Sequence, residues 1–228
     1  MQRTFVIADI HGCSESLVNL IAKIDPDPSK DRLIFLGDYV DRGPDSQGVI
    51  EEILSLRREF DKIITLKGNH EEVLLNFMAG RDREFFLAIG GRETLLSYGC
   101  AEPFDYSCSL NIPESHQNFL YNLLPYWEDE EFIYVHAGLR PGIHLTQQTP
   151  DWLYWAAGGP LASQRYDFGK KVIFGHSVVP SPLIQDDKIG IDTGAVYGGH
   201  LTCLILPEKK VVQVPSQKYW AGNNDKNL

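Results

Sequence analysis

The stretch RTFVIADIHG, residues 3–12, joins a short apolar run to a polar cluster directly behind it. Residues 4–8 predict a buried β-strand, and Asp9 and His11 follow it. From Ser14 onward, apolar residues recur at helical spacing, so a helix comes next. The stretch therefore predicts a strand, a polar loop and a helix in succession.

The same order recurs twice farther along the chain. Asp38 follows one predicted strand, and Asn69 and His70 follow the next. Because ligands of α/β folds gather where the carboxyl ends of strands meet, we expect these polar clusters to share one crevice. The strands are predicted over residues 32–36 and 62–66, and the helices over 45–58 and 71–78.

The rest of the chain predicts an insertion and more strands. Helices over 83–98 and 114–124 form a cap-like helical insertion at residues 83–124. Strands are predicted over residues 132–135, 172–174, 184–191, 201–206 and 211–214. We expect an α/β fold, a layered sandwich of two mixed β-sheets flanked by helices. One domain should span residues 1–221, before a polar tail at 222–228.

Composition excludes several classes of protein. The 228 residues are 43% hydrophobic, which suffices for a packed core, and the formal net charge is −10. That charge repels nucleic acid and anionic membranes, so we expect neither as a partner. The N-terminal apolar run is too short for an export signal, which favours a cytoplasmic protein with free thiols. The cysteines are Cys13, Cys100, Cys108 and Cys203.

Polar side chains suited to metal ions follow five of the predicted strands. They are Asp9, His11, Asp38, Asp41, Asn69, His70, His136 and His176. Carboxylates, imidazoles and an amide supply hard oxygen and borderline nitrogen ligands, which suit Mn²⁺, Fe, Zn²⁺ or Mg²⁺. A single Asp behind a strand is commonly a turn residue, but the whole ordered set favours a metal site.

The segments IADIHG, GDYVDRG, KGNHE, HAGL and FGHS resemble the motif series of the phosphoprotein phosphatase family, within the calcineurin-like metallophosphoesterases. The resemblance spans residues 5–197 and implies a two-metal phosphoesterase of the serine/threonine protein phosphatase type. It implies that Asp9, His11 and Asp38 bind one metal, and that Asp38, Asn69, His136 and His176 bind the second. Asp38 would bridge the ions, which hold the nucleophilic hydroxide. Manganese is the expected metal; iron, zinc, nickel or magnesium would also suit.

The resemblance also assigns the substrate and proton-transfer residues. His70 would protonate the leaving oxygen, and Asp41 would orient its ring. Arg42 would bind two phosphate oxygens with its guanidinium. Lys67 is not a family residue, but as a point cation it could supply a second positive charge for substrate binding. Tyr197 matches a segment that lines the site in relatives, although a tyrosine beside two glycines is equally typical of a packing residue.

Two positions depart from the family pattern. Relatives carry arginine in place of Lys67, and another phosphate-binding arginine two residues after a tryptophan that matches Trp155. Ala157 stands at that second position. Binding of phosphate is therefore expected to depend on Arg42. Two cations from nearby loops are alternatives, Arg140 and Arg165.

The expected activity is hydrolysis of phosphomonoesters by a monomeric phosphoprotein phosphatase. Phosphoserine and phosphothreonine would be its main substrates, with phosphotyrosine or a small phosphoester as further ones. One alternative is a diadenosine tetraphosphate hydrolase, which shares the motif series, although Asp41 favours the phosphatase because those hydrolases often vary there. The other alternative is a weakly active metal-binding scaffold that has lost the arginine at Ala157. The retained metal ligands and His70 argue against it.

Overall fold

A computed structural model describes residues 2–101, 111–157, 159 and 168–221. The strands are Thr4–Ile7 (β1), Arg32–Phe35 (β2), Ile63–Thr65 (β3), Tyr126–Glu128 (β4), Phe132–Val135 (β5), Lys171–Phe174 (β6), Leu183–Ile184 (β7), Lys188–Gly190 (β8), His200–Leu206 (β9) and Lys210–Pro215 (β10). The helices are Ser14–Ile24 (α1), Ser46–Glu59 (α2), Asn69–Met78 (α3), Arg83–Phe86 (α4), Arg92–Ser97 (α5), Glu114–Tyr121 (α6) and Pro150–Leu153 (α7).

The strands form two mixed sheets of five strands each. The first has the order β10-β9-β1-β2-β3, in which β1, β2 and β3 are parallel and β9 is antiparallel to β1. The second has the order β4-β5-β6-β8-β7, with β5, β6 and β8 parallel and both edges antiparallel. Parallel neighbours need a crossover, and α1 and α2 supply those of the first sheet. The predicted sandwich of two mixed sheets flanked by helices is confirmed.

Alternate residues of β1 enter different apolar layers, because successive side chains of a strand point to opposite faces. Val6 lies in a cluster between the two sheets, together with Tyr134 and Ile173 of the second sheet. Phe5 and Ile7 lie in the larger cluster, which includes residues of the helices. Both faces of the first sheet are therefore buried, and this packing holds the ends of its strands in place.

The structure corrects several predicted elements. Residues 184–191, predicted as one strand, form the short antiparallel pair of β7 and β8. The predicted helix over 83–98 is divided into α4 and α5 by a kink in the segment Leu87–Gly91, because Gly90 has a φ of +114°. Part of the predicted insertion, residues 102–110, and the predicted tail lie outside the described residues. The domain bounds stay a prediction.

The cysteines differ from one another. Cys13 and Cys203 are free and buried, as predicted. Cys100 is disulfide-bonded, so its prediction as a free thiol is wrong; isolated cysteines without paired spacing carry no signal for a bridge. Cys108 lies outside the described residues. Within the described ranges, no helix has the length and apolar character needed to cross a membrane. A cytoplasmic location stays a prediction.

Candidate active site

The carboxyl ends of three parallel strands from each sheet meet at one edge of the sandwich. A hydrogen bond joins the sheets there, since the backbone N–H of His176 lies 3.2 and 3.0 Å from the two carboxylate oxygens of Asp9. The structure brings all six predicted metal ligands to this edge. Asp9, His11, Asp38, Asn69 and His136 are at most 4% exposed, and His176 is partly buried.

One group of potential ligand atoms belongs to His11, Asp38 and His70 and lies within 4.8 Å. His11 Nδ1 lies 2.9 Å from the carbonyl oxygen of Val40 and donates its proton there, so Nε2 faces Asp38 Oδ2 at 3.3 Å. A carbonyl that orients the ring in this way commonly accompanies a metal-binding histidine. The resemblance grouped Asp9 with His11 and Asp38, whereas His70 is the third member of the group that the geometry forms.

The second group comprises Asp38, His136 and His176, again within 4.8 Å. Asn69 Oδ1 adjoins it, 3.0 Å from His136 Nε2 and 3.1 Å from His176 Nδ1. His136 Nδ1 lies 3.0 Å from the carbonyl oxygen of Leu36 and donates its proton there. Asp38 belongs to both groups, which is the position that a bridging carboxylate needs.

In the second group, the lone pair of His136 faces two acceptor oxygens. Burial holds the pKa of His136 well below its usual range, so the ring carries one proton, which the Leu36 carbonyl accepts. Its Nε2 therefore presents a lone pair to Asn69 Oδ1 at 3.0 Å and to Asp38 Oδ1 at 3.5 Å. Facing acceptors repel each other, and a cation between them relieves the repulsion. The donor set thus fits a divalent metal.

Burial also governs the charge of the carboxylates. It raises the pKa of Asp9 and of Asp38 well above the usual range, and repulsion from Asp192 and from Glu71, respectively, adds to the effect. Burial raises the pKa of Asp192 to about 6. A site with several buried acids disfavours their simultaneous ionisation, and bound divalent cations reverse that preference.

The loops that carry these side chains have strained backbones. Left-handed φ angles between +47° and +70° occur at His11, Asp38, Asp41, Arg42 and His176. Residues with a Cβ rarely adopt this region, and such strain persists where the surroundings enforce it. Gly68 shows the crowding, because a Cβ at that position would lie 2.1 Å from Asp38 Oδ1.

His70 and Asp41 form a buried pair beside the ligand groups. His70 Nδ1 donates to Asp41 Oδ2 over 2.7 Å, the contact expected of the predicted pair. His70 Nε2 is buried and has no hydrogen-bond partner among the described residues. Since buried polar atoms normally have a partner, this nitrogen is available to a bound molecule.

Arg42 lies beside the ligand groups and is held by the main chain of the kinked segment Leu87–Gly91. Its backbone N–H donates to the Gly90 carbonyl over 3.0 Å, and its Nε donates to the Ile89 carbonyl over 3.3 Å. One guanidinium N–H donates to His11 Nε2 over 2.9 Å, and the guanidinium carbon lies 5.7 Å from the centre of the Tyr197 ring. The two predicted substrate residues Arg42 and Tyr197 therefore lie together.

The other predicted cations are Lys67, Arg140 and Arg165. Within the part of the chain that the structure describes, no hydrogen bond or ion pair joins Lys67 or Arg140 to the ligand groups. Arg140 is exposed, as is Ala157, where relatives carry arginine. Arg165 lies outside the described residues.

Three buried residues belong to the site but are not assigned by the sequence analysis. The Glu71 carboxylate accepts four backbone N–H groups from the loops after β2 and β3, at 2.7 to 3.3 Å. Asp192 follows β8 as Asp9 follows β1, and Thr94 Oγ1 donates to Asp41 Oδ1 over 2.6 Å. Glu71 lies in the KGNHE segment and Asp192 directly follows the strand predicted over residues 184–191, so the sequence carried a signal for both. Thr94, inside a helix of the insertion, carried none.

Known proteins of one family match this chain along most of its length. The family described as calcineurin-like phosphoesterase matches residues 2–202. The asymmetrical bis(5′-nucleosyl)-tetraphosphatase PrpE of Anoxybacillus flavithermus is 29% identical, over 92% of this chain and 93% of the relative. The protein of the same name from Bacillus cereus is 31% identical, over 92% of this chain and 93% of its own.

Solved structures share the fold. A crystal structure of a candidate diadenosine tetraphosphatase has a TM-score of 0.72 and 25% identity, covering 96% of this chain and 95% of that one. The cold-active protein-tyrosine phosphatase of a psychrophilic Shewanella has a TM-score of 0.60 at 15% identity, covering 95% of this chain and 81% of that one. The second likeness concerns the architecture alone.

Proposed function

We propose that this chain, which belongs to the calcineurin-like phosphoesterase family, hydrolyses dinucleoside tetraphosphates asymmetrically. Cleavage beside an outer phosphate of the bridge would yield a nucleoside triphosphate and a nucleoside monophosphate. The observation that carries the proposal is the likeness to named tetraphosphatases over 92% of the chain. This activity, the alternative in the sequence analysis, has more support than the serine/threonine phosphoprotein phosphatase favoured there.

Two divalent cations, with manganese as first choice, fit the residues of the site. We assign one to Asp9, His11 and Asp38, and the other to Asp38, Asn69, His136 and His176. When bound, such ions neutralise phosphate charge and act as Lewis acids on phosphoryl oxygens and water. Because the chain has a net charge of −10, an anionic substrate depends on this local reversal of charge.

The chain's own residues bind the phosphate and move a proton. Arg42 would bind two phosphate oxygens, since its guanidinium contacts a ligand histidine and its backbone is held by Gly90. His70 would donate a proton from Nε2 to the leaving oxygen. Asp41, which accepts the hydrogen bond from His70 Nδ1, would stabilise the charged ring and keep its orientation.

The His70–Asp41 pair favours a second candidate function, the hydrolysis of phosphomonoesters, including those of phosphoproteins. The group that leaves a tetraphosphate is itself a phosphate, whose second pKa is about 6, so it departs with little help. A serine or threonine alkoxide is a far stronger base and leaves only when protonated. A buried acid beside the ligand groups is of most use in that second case.

A comparison of three substrates separates these candidates. With Mn²⁺ present, kcat/KM is measured for diadenosine tetraphosphate, for a phosphoserine peptide and for p-nitrophenyl phosphate. We expect the highest value for diadenosine tetraphosphate, with ATP and AMP released in equal amounts. A preference for the peptide, or release of ADP alone, would overturn the proposal. No turnover of any of the three would support the scaffold.

Arg42→Ala should lower kcat/KM for diadenosine tetraphosphate by 10²-fold or more, about 2.7 kcal/mol. Within the described residues, Arg42 is the one arginine or lysine that hydrogen-bonds to a ligand group. Arg58→Ala is the matched control, because Arg58 is exposed and forms an ion pair with Glu51 at 4.0 Å, away from the ligand groups. Steady-state kinetics of both variants check this prediction. A loss below tenfold at Arg42 would mean that another cation binds the phosphate.

A further inference from the structure

Thr94, in α5 of the insertion, contacts the carboxylate that holds His70. Its hydroxyl donates to Asp41 Oδ1 over 2.6 Å, while His70 Nδ1 donates to Asp41 Oδ2 over 2.7 Å. All three side chains are at most 1% exposed, so water does not compete for these bonds. The Asp41 carboxylate is therefore held at both oxygens by buried donors.

Ser46, at the start of α2, extends this network. Since Thr94 Oγ1 donates its proton to Asp41, the Ser46 hydroxyl donates to Thr94 over 3.0 Å. The backbone N–H of Asp41 lies 2.9 Å from Thr94 Oγ1 and 3.1 Å from Ser46 Oγ. The same two hydroxyls thus hold the backbone of Asp41, whose φ is +70°.

A second hydrogen-bond donor restricts the rotation of a buried carboxylate. With a single partner, the carboxylate rotates about its last side-chain bond, because that torsion has broad minima. With donors at both oxygens, the plane of the carboxylate is fixed, and so is the direction of the ring that donates to it. Burial raises the pKa of Asp41, and the Thr94 hydrogen bond opposes that rise by stabilising the ionised form.

We propose that Thr94 is a positioning residue, which fixes the Asp41 carboxylate and through it directs His70 Nε2 toward the leaving oxygen. The inference rests on the proposed function, in which His70 is the proton donor. The insertion, predicted as a cap beside the site, then supplies part of the apparatus for proton transfer. The kinked segment Leu87–Gly91, which holds Arg42, belongs to the same insertion.

The kinetic test compares Thr94→Val, which removes the hydroxyl at similar size, with Thr94→Ser, which keeps it. Phenyl phosphate and p-nitrophenyl phosphate are the probes, because phenolate is the stronger base and depends more on the proton. We expect Thr94→Val to lower kcat for phenyl phosphate about tenfold, or roughly 1.4 kcal/mol. For p-nitrophenyl phosphate we expect a loss of less than about threefold, and Thr94→Ser should restore both rates.

A spectroscopic readout keeps the test independent of activity. In metal-free protein with isotope-labelled histidine, the Nδ1 proton of His70 should resonate far downfield, shift upfield in Thr94→Val and return in Thr94→Ser. Thr4→Val replaces another buried threonine with valine, at the opposite end of β1 from the site, and is the control for this change. Thr94→Ala replaces Thr94→Val if the latter does not fold.

The outcomes separate this inference from the proposed function. Equal losses for the two phosphates, together with an unchanged His70 resonance in the folded variant, would overturn the role of Thr94. A wild-type enzyme that leaves diadenosine tetraphosphate intact would count against the proposed function instead. In that event the resonance of His70 alone decides whether Thr94 orients the pair.

Discussion

Asp38→Asn is expected to lower kcat/KM for diadenosine tetraphosphate by 10³-fold or more, about 4 kcal/mol. Asp38 belongs to both ligand groups, with carboxylate oxygens 3.3 Å from His11 Nε2 and 3.5 Å from His136 Nε2. An amide supplies one neutral oxygen where two charged ones are needed, so both cations are held weakly. Kinetics with added Mn²⁺ and metal analysis check this prediction, and the metal content should fall from about two ions per chain to one or none.

Asp31→Asn is the matched control for that variant. Asp31 is also buried, but it precedes β2 and pairs with Arg3, whereas Asp38 follows the carboxyl end of the strand. The same chemical change there should lower the melting temperature and leave kcat/KM within about twofold, because distant sites act independently. If Asp38→Asn kept two ions and a tenth of the activity, the bridging assignment would be wrong.

His70→Asn is expected to lower kcat for phenyl phosphate by roughly 10²- to 10⁴-fold, the usual contribution of a positioned acid. The loss for p-nitrophenyl phosphate and for diadenosine tetraphosphate should be smaller, because their leaving groups are weaker bases. Kinetics on the three substrates measure this gradient. His116→Asn is the control, since His116 is a buried histidine that contacts Tyr98 and Glu51 outside the site.

Metal analysis of the same variant tests whether His70 is a metal ligand or a proton donor. A ring nitrogen of His70 lies within 4.8 Å of potential ligand atoms of His11 and Asp38, and its Nδ1 donates a hydrogen bond to Asp41. Retention of two ions with a loss that follows leaving-group basicity supports proton transfer. Loss of an ion, with equal effects on all substrates, would make His70 a ligand and contradict its proposed role.

The sequence predicts much of the site because each ligand stands directly behind a strand. Parallel strands bring such positions to one edge, so Asp38 and His136 meet although they are 98 positions apart in the chain. Thr94 could not be predicted in this way, because it lies within a helix and not behind a strand. The spacing of apolar residues in that helix indicates only core packing. The turn between β7 and β8 is also missed, because short apolar runs do not mark where a strand ends.

The sequence motifs do not determine which substrate the chain binds, and the reason is physical. The segments around Asp9, Asp38 and His70 concern metal ions and the reacting phosphate, which phosphatases and tetraphosphatases have in common. The rest of the substrate contacts other surfaces, whose shape the motifs do not encode. For this reason the sequence argument for the phosphatase depended on Asp41 alone, whereas the proposed tetraphosphatase activity depends on similarity over 92% of the chain.

The assigned ligands are divided between the two sheets. Those from the first sheet are Asp9, His11, Asp38 and Asn69, and those from the second are His136 and His176. Only the cation assigned to Asp38, Asn69, His136 and His176 takes ligands from both, so it would join the two sheets in addition to the apolar layer between them. Part of the binding free energy of this cation then stabilises the packing of one sheet against the other. A chelator should therefore weaken the packing between the two sheets before either sheet unfolds.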